Sequence, residues 1–109
     1  MITLSTQRPT LAWKQQLAEG SDHFTAKSIM DSDRLLDGYM VALNAAQNEI
    51  ELWEAVEKVV KGFDELNIKH NYFIDTIERE DLAEFIQHAA EVAGLNYDGD
   101  VTEEWRMEW

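Results

Sequence analysis

Apolar residues recur at Leu36, Tyr39, Leu43, Ala46, Ile50 and Trp53, in steps of 3, 4, 3, 4 and 3. Side chains alternate every two residues along a strand and every 3.6 along a helix, so this spacing builds one face of an α-helix. The stripe continues through Val56, Val60 and Phe63, with Val59 and Leu66 beside it. Ser32 and Asp33 stand where an N-cap would open such a helix. Asn48 followed by Glu51 is a second capping-box-like start, which predicts two helices with a bend near Gln47 and Asn48. Asn67 is the expected stop of the second, a left-handed cap before the charged turn Lys69, His70, Asn71.

The flanking segments carry their own punctuation. A helix is expected after Pro9, through Leu11, Trp13 and Leu17 to a stop at Gly20. From Ser21 to Met30 the apolar spacing fits a short helix and a packed loop equally. Asp75 or Thr76 caps a further helix whose stripe is Leu82, Phe85, Ile86, Ala89, Ala90 and Ala93, stopped by Gly94. The tail from Asn96 fits two conformations: a helix start at Thr102, or a strand alternating Trp105, Met107 and Trp109. Two short pieces, Met1–Leu4 and Tyr72–Ile77, could pair as strands. The expected fold is therefore all-α, a compact bundle of about four helices in one domain spanning residues 1–109, with room for a minor two-stranded β pairing.

A chain of 109 residues that is 45% hydrophobic and 10% aromatic has the composition of a globular domain. It contains no cysteine, which removes disulfides, thiolate nucleophiles and thiolate metal ligands together. No secretory signal is read in residues 1–10, and no apolar run approaches the ~20 residues that span a bilayer. A cytosolic location is expected.

The net charge of −13 is unevenly distributed along the chain. Residues 1–47 hold five acids and four bases, whereas residues 48–109 hold seventeen acids and five bases, which places −12 in the C-terminal part. Binding to phosphate backbones or anionic membranes needs lysine and arginine, so neither direct nucleic-acid binding nor membrane binding is expected. A basic surface on another protein is the complementary partner.

Paired carboxylates supply the clearest candidate chemistry. Glu54 and Glu57 form ExxE, and Glu78 and Asp81 form ExxD. Each i, i+3 pair shares a helix face, and two such pairs on adjacent helices could hold Mg²⁺, which wants converging oxygen ligands. This pattern, with the stretch DLAEFIQHAAEVAGL from Asp81 to Leu95, is similar to the all-α nucleotide pyrophosphohydrolases of the MazG type. The resemblance covers about 40 residues and implies Mg²⁺-dependent hydrolysis with Glu54, Glu57, Glu78 and Asp81 as ligands. The first helix lacks the dense run of glutamates usual in that family. The same spacing also occurs at Glu51 and Glu54, Asp75 and Glu78, and Asp81 and Glu84, and helix capping accounts for Glu78 and Asp81 without a metal.

Among the histidines, His88 shares a helix face with Glu84 and Glu91, while His23 and His70 fall in less regular segments. HExxH and serine-elbow motifs are absent from the sequence. Trp13 and Trp53 lie on apolar stripes and read as core. Trp105 and Trp109 end a strongly acidic tail with Glu103 and Glu104, and either close the core or anchor a partner. The foremost functional expectation is an acidic interaction module, such as an inhibitor, immunity factor or adaptor, whose partner-binding residues are Trp105, Trp109, Glu103 and Glu104 and which needs no cofactor. The alternative is the Mg²⁺-dependent pyrophosphohydrolase. A third reading makes the Leu36–Phe63 stripe a homo-oligomer interface.

Overall fold

Four helices follow one another in the computed structural model, which describes residues 8–109: α1 (Pro9–Ala18), α2 (Ala26–Ala45), α3 (Glu49–Lys69) and α4 (Thr76–Val92). The helical expectation is met, and no strand occurs among the described residues. Tyr72–Ile77 is not a strand. Asn71 and Tyr72 both adopt left-handed backbone angles (φ 60° and 58°), which turn the chain out of α3, and Thr76 already begins α4. Its proposed partner, Met1–Leu4, lies outside the described residues.

Local chemistry explains most helix ends. Pro9 at the first position of α1 has the required φ and needs no amide partner, and the preceding Arg8 is extended. At its far end Ser21 N–H donates to the Gln16 carbonyl and Gly20 N–H to that of Leu17, the Schellman pattern, which needs the left-handed φ of 97° at Gly20. α4 repeats this end with Leu95 on Ala90 and Gly94 on Glu91, with φ 112° at Gly94.

α2 begins earlier than Ser32 and Asp33 suggest. Thr25 is its N-cap: the Thr25 hydroxyl accepts from Ser28 N–H and the Ser28 hydroxyl accepts from Thr25 N–H, both at 3.0 Å. Ser28 takes the place that glutamate usually holds in a capping box. Ser32 lies well inside the helix, where its hydroxyl donates to the Ser28 carbonyl. Asp33 is likewise internal, bound to Thr10 at 2.6 Å and to Lys14 at 2.8 Å.

The break between α2 and α3 falls where expected. Asn48 caps α3 by accepting from Glu51 N–H at 2.9 Å, and the Glu51 carboxylate reaches back to Gln47 N–H. The helices then run antiparallel, with Leu35 against Gly62 and Asp31 against His70. The interruption also changes the phase of the stripe. The buried face of α3 is Leu52, Ala55, Val56, Val59, Val60 and Phe63, so Ile50 ends up 72% exposed and Trp53 only half-buried.

α3 extends past Asn67, which is buried inside it rather than capping it. One contiguous core joins Leu36, Tyr39 and Leu43 of α2 to that face of α3 and to Leu82, Phe85, Ile86, Ala89 and Ala90 of α4. Tyr39 fixes the crossing of α2 and α4, because its buried hydroxyl donates to the Ile86 carbonyl at 2.7 Å. α1 closes one end through an aromatic cluster: Trp13 stacks on Phe24 at 5.3 Å and meets Phe73 edge-on at 5.8 Å. Leu36, Val56, Val60 and Phe63 are wholly buried within the molecule, so much of the face once available as an oligomer seam is already covered.

Candidate interaction surface

The C-terminal tail is anchored to the helices by specific hydrogen bonds. Val101 N–H donates to the Gln87 side chain of α4 at 2.9 Å, and the Asp100 carboxylate accepts from the Thr102 amide and hydroxyl at 2.9 and 2.6 Å. These contacts wind residues 101–105 into turns. Further along, one oxygen of Asp64 accepts from Met107 and Glu108 N–H at 3.0 and 2.9 Å. Asn67 donates its amide to the Glu108 carbonyl while its oxygen accepts from Ile74 N–H at 2.8 Å. A single helical side chain thus holds both the tail and the segment leading into α4.

This anchoring sets where the two terminal tryptophans sit. Trp109 is 8% exposed, packs on Phe63 and donates its indole N–H to the Val60 carbonyl at 3.2 Å. It is part of the core. Trp105 is half-buried and leans on Trp53, with ring centroids 5.7 Å apart. Tyr97, 48% exposed, meets the same Trp53 ring edge-on at 5.0 Å. A depression of about 310 Å³ opens here, lined by Trp53, Tyr97, Asp100, Val101, Glu103 and Glu104. Glu103 and Glu104 are exposed.

The four carboxylates of the metal reading occupy different surroundings. Glu54 and Glu57 line a groove with Leu35, Lys58, Lys61, Gly62 and Glu65, and Glu57 is ion-paired to Lys61 at 2.6 Å. Glu78 is buried, closes the α4 capping box on Asp75 N–H and contacts His23 at 3.2 Å, beside a separate depression with Gln16 and Ile77. Asp81 is exposed; partial burial and, after it, repulsion from Glu84, Glu78 and Glu80 hold its carboxyl above the ordinary carboxylate range. Among the described residues no group of three or more histidine, aspartate or glutamate side chains is placed to hold a metal ion. His70 sits on Asp31 at 3.0 Å, and His88 is half-buried on α4.

Most of the ion pairs made by lysine and arginine among the described residues fall on α2. Arg8 and Lys14 pair with Asp33 and Asp37, while Lys27, Lys69 and His70 converge on Asp31. The His70 hydrogen bond, with help from Lys69 and Lys27, outweighs the effect of burial and lowers Asp31 to about 2. At Asp33 partial burial is outweighed by Lys14, Thr10 and Arg8, so this carboxyl is also lowered. At the tail Arg106 reaches Asp100 at 3.3 Å and lies over the Trp109 ring at 5.6 Å. Among the described residues Glu80, Asp81, Glu103 and Glu104 have no ion pair with lysine or arginine.

Compared with protein-family models, curated proteins and solved structures, the chain matches none. The similarity of residues 81–95 to MazG-type hydrolases therefore has no counterpart in those comparisons. No described helix is long and apolar enough to cross a membrane.

Sequence reasoning singled out Trp105, Glu103 and Glu104 and missed Tyr97, Asp100 and the exposed side of Trp53. The available signal was the density of aromatic and acidic residues from Tyr97 to Trp105. It also missed Asp64 and Asn67, although Asn67 is a polar residue placed four positions after Phe63 on an apolar stripe, where a buried amide must satisfy several hydrogen bonds.

Proposed function

We propose that the protein is an acidic interaction module, an inhibitor, immunity factor or adaptor that docks on a basic surface of another protein. The observation that carries this reading is a set of surface carboxylates of α4 and the tail without cationic partners. Five of the seven ion pairs that lysine or arginine makes among the described residues fall on Asp31, Asp33 and Asp37 of α2, whereas Glu80 and Asp81 of α4 and Glu103 and Glu104 of the tail have none. Unpaired surface carboxylates accelerate encounter with a cationic partner, and salt attenuates that attraction over about 10 Å at 0.1 M.

The test is affinity capture from the native host at low salt with the intact chain, followed by capture with two charge-neutralised variants. Glu103→Gln with Glu104→Gln is expected to abolish retention of a basic partner. Asp22→Asn with Glu19→Gln, also exposed acids, is expected to preserve it. Retention that ignores both the tail substitutions and rising salt, or the absence of any basic protein among those retained, refutes the proposal.

A further inference from the structure

We propose that Trp53 and Tyr97, with Glu103 and Glu104, form a receptor for a guanidinium group: the arginine side chain through which a basic partner is anchored. The assignment names the contact chemistry of the interaction reading above and rests on it for the identity of the partner. Two rings of the tail converge on one of α3, with Tyr97 and Trp105 both set against Trp53 at 5.0 and 5.7 Å, and Trp53 and Tyr97 line the depression. Their exposure distinguishes them from the Trp13–Phe24–Phe73 cluster, whose rings are all buried: here Tyr97 is 48% exposed and both tryptophans are half-buried.

Aromatic faces carry negative quadrupole density and attract cations. The same depression is lined by Glu103 and Glu104, so an anion is repelled and a neutral apolar ligand would cover carboxylates without compensating them. A cation satisfies both rings and acids. Asp100 is already engaged by Thr102 and Arg106, which leaves Glu103 and Glu104 as the charge partners of the incoming group.

Guanidinium fits better than ammonium, because it is planar, weakly hydrated, stacks on rings and offers a fork of donors to carboxylates. The protein contains this combination within itself, since Arg106 lies over the Trp109 ring while bonding to Asp100.

The test uses the full chain labelled with ¹⁵N, observing the indole N–H resonances of its four tryptophans during titration with N-acetyl-arginine methylamide at low salt. Trp53 is expected to shift saturably, while the buried Trp13 and Trp109 stay fixed. Tyr97→Leu, which alters an exposed ring, is expected to weaken binding about fivefold, the change that a cation–π contact of about 1 kcal/mol implies. Glu103→Gln with Glu104→Gln is expected to weaken it at least as much.

Equal shifts with the neutral citrulline derivative, equal affinity for the lysine derivative, or unchanged binding by both variants overturns the proposal. The two readings fail separately. If arginine binds but no basic protein is captured, the receptor stands without the interaction role; if a basic partner is captured equally by Tyr97→Leu, the receptor assignment fails while the interaction role stands.

Discussion

Replacing Asn67 by alanine tests how the tail is held. The substitution removes two hydrogen bonds of unequal cost. Ile74 is only 6% exposed, so its N–H would lose the Asn67 oxygen with little access to water, at a cost of about 1–3 kcal/mol. Glu108 is exposed, so water replaces the amide at its carbonyl and the loss there is about 0.5–1.5 kcal/mol. Together these predict a destabilisation of about 1.5–4.5 kcal/mol, which for a chain of this size lowers Tm by about 6 °C or more. Urea denaturation followed by tryptophan fluorescence measures it.

Asn67→Asp separates the two contributions. It keeps the acceptor for Ile74 N–H and sets a carboxylate against the Glu108 carbonyl, so the tail should loosen while the Ile74 amide remains protected from hydrogen exchange. A loss below about 0.5 kcal/mol for the alanine variant, or undiminished protection of Ile74 in it, refutes the account of Asn67 as a double clasp.

Other expectations are simpler. Gly38 lies inside α2 at negative φ with open space where a Cβ would stand, so Gly38→Ala should stabilise by about 0.5–1 kcal/mol, whereas Gly94→Ala, at φ 112°, should destabilise by about 1–2 kcal/mol; thermal melts of both check the contrast. Asp31 is lowered from 3.8 to about 2, so the stability it contributes is fully present above about 4 and is lost as pH falls toward 2. That contribution is at most about 2.5 kcal/mol, reduced to about 1 by solvent screening of the exposed lysines. Denaturation at pH 5 and pH 2.5 should show a smaller acid loss in Asp31→Asn than in the parent chain, and an identical loss in the two proteins contradicts the network.

What the sequence reveals of this fold depends on how local the cause is. The Asn48 start, the Asp75 start and the glycine stops at Gly20 and Gly94 all follow from residues within a few positions of each other. The start of α2 is equally local but written unusually, with Ser28 completing the Thr25 box in place of an acidic side chain. Ile50 shows where periodicity misleads: it continues the α2 stripe in register, yet the break at residues 46–48 rotates the following helix and turns it outward. The candidate surface is less legible still. Trp53, Tyr97 and Trp105 become neighbours only because Gln87, Asp64 and Asn67 hold the tail, and such contacts leave no spacing rule in the chain. Trp109 belongs inside for the same reason.

The buried phenol of Tyr39 makes the folded state optically distinctive. Burial raises its ionisation well above the ordinary value of 10. Alkaline titration followed by ultraviolet absorbance should therefore register the Tyr39 phenolate only when α2 and α4 separate. Because unfolding lets Tyr39 ionise at its ordinary value, stability declines as pH climbs past 10, and the appearance of that phenolate becomes a spectroscopic counter for the opening of the helix crossing.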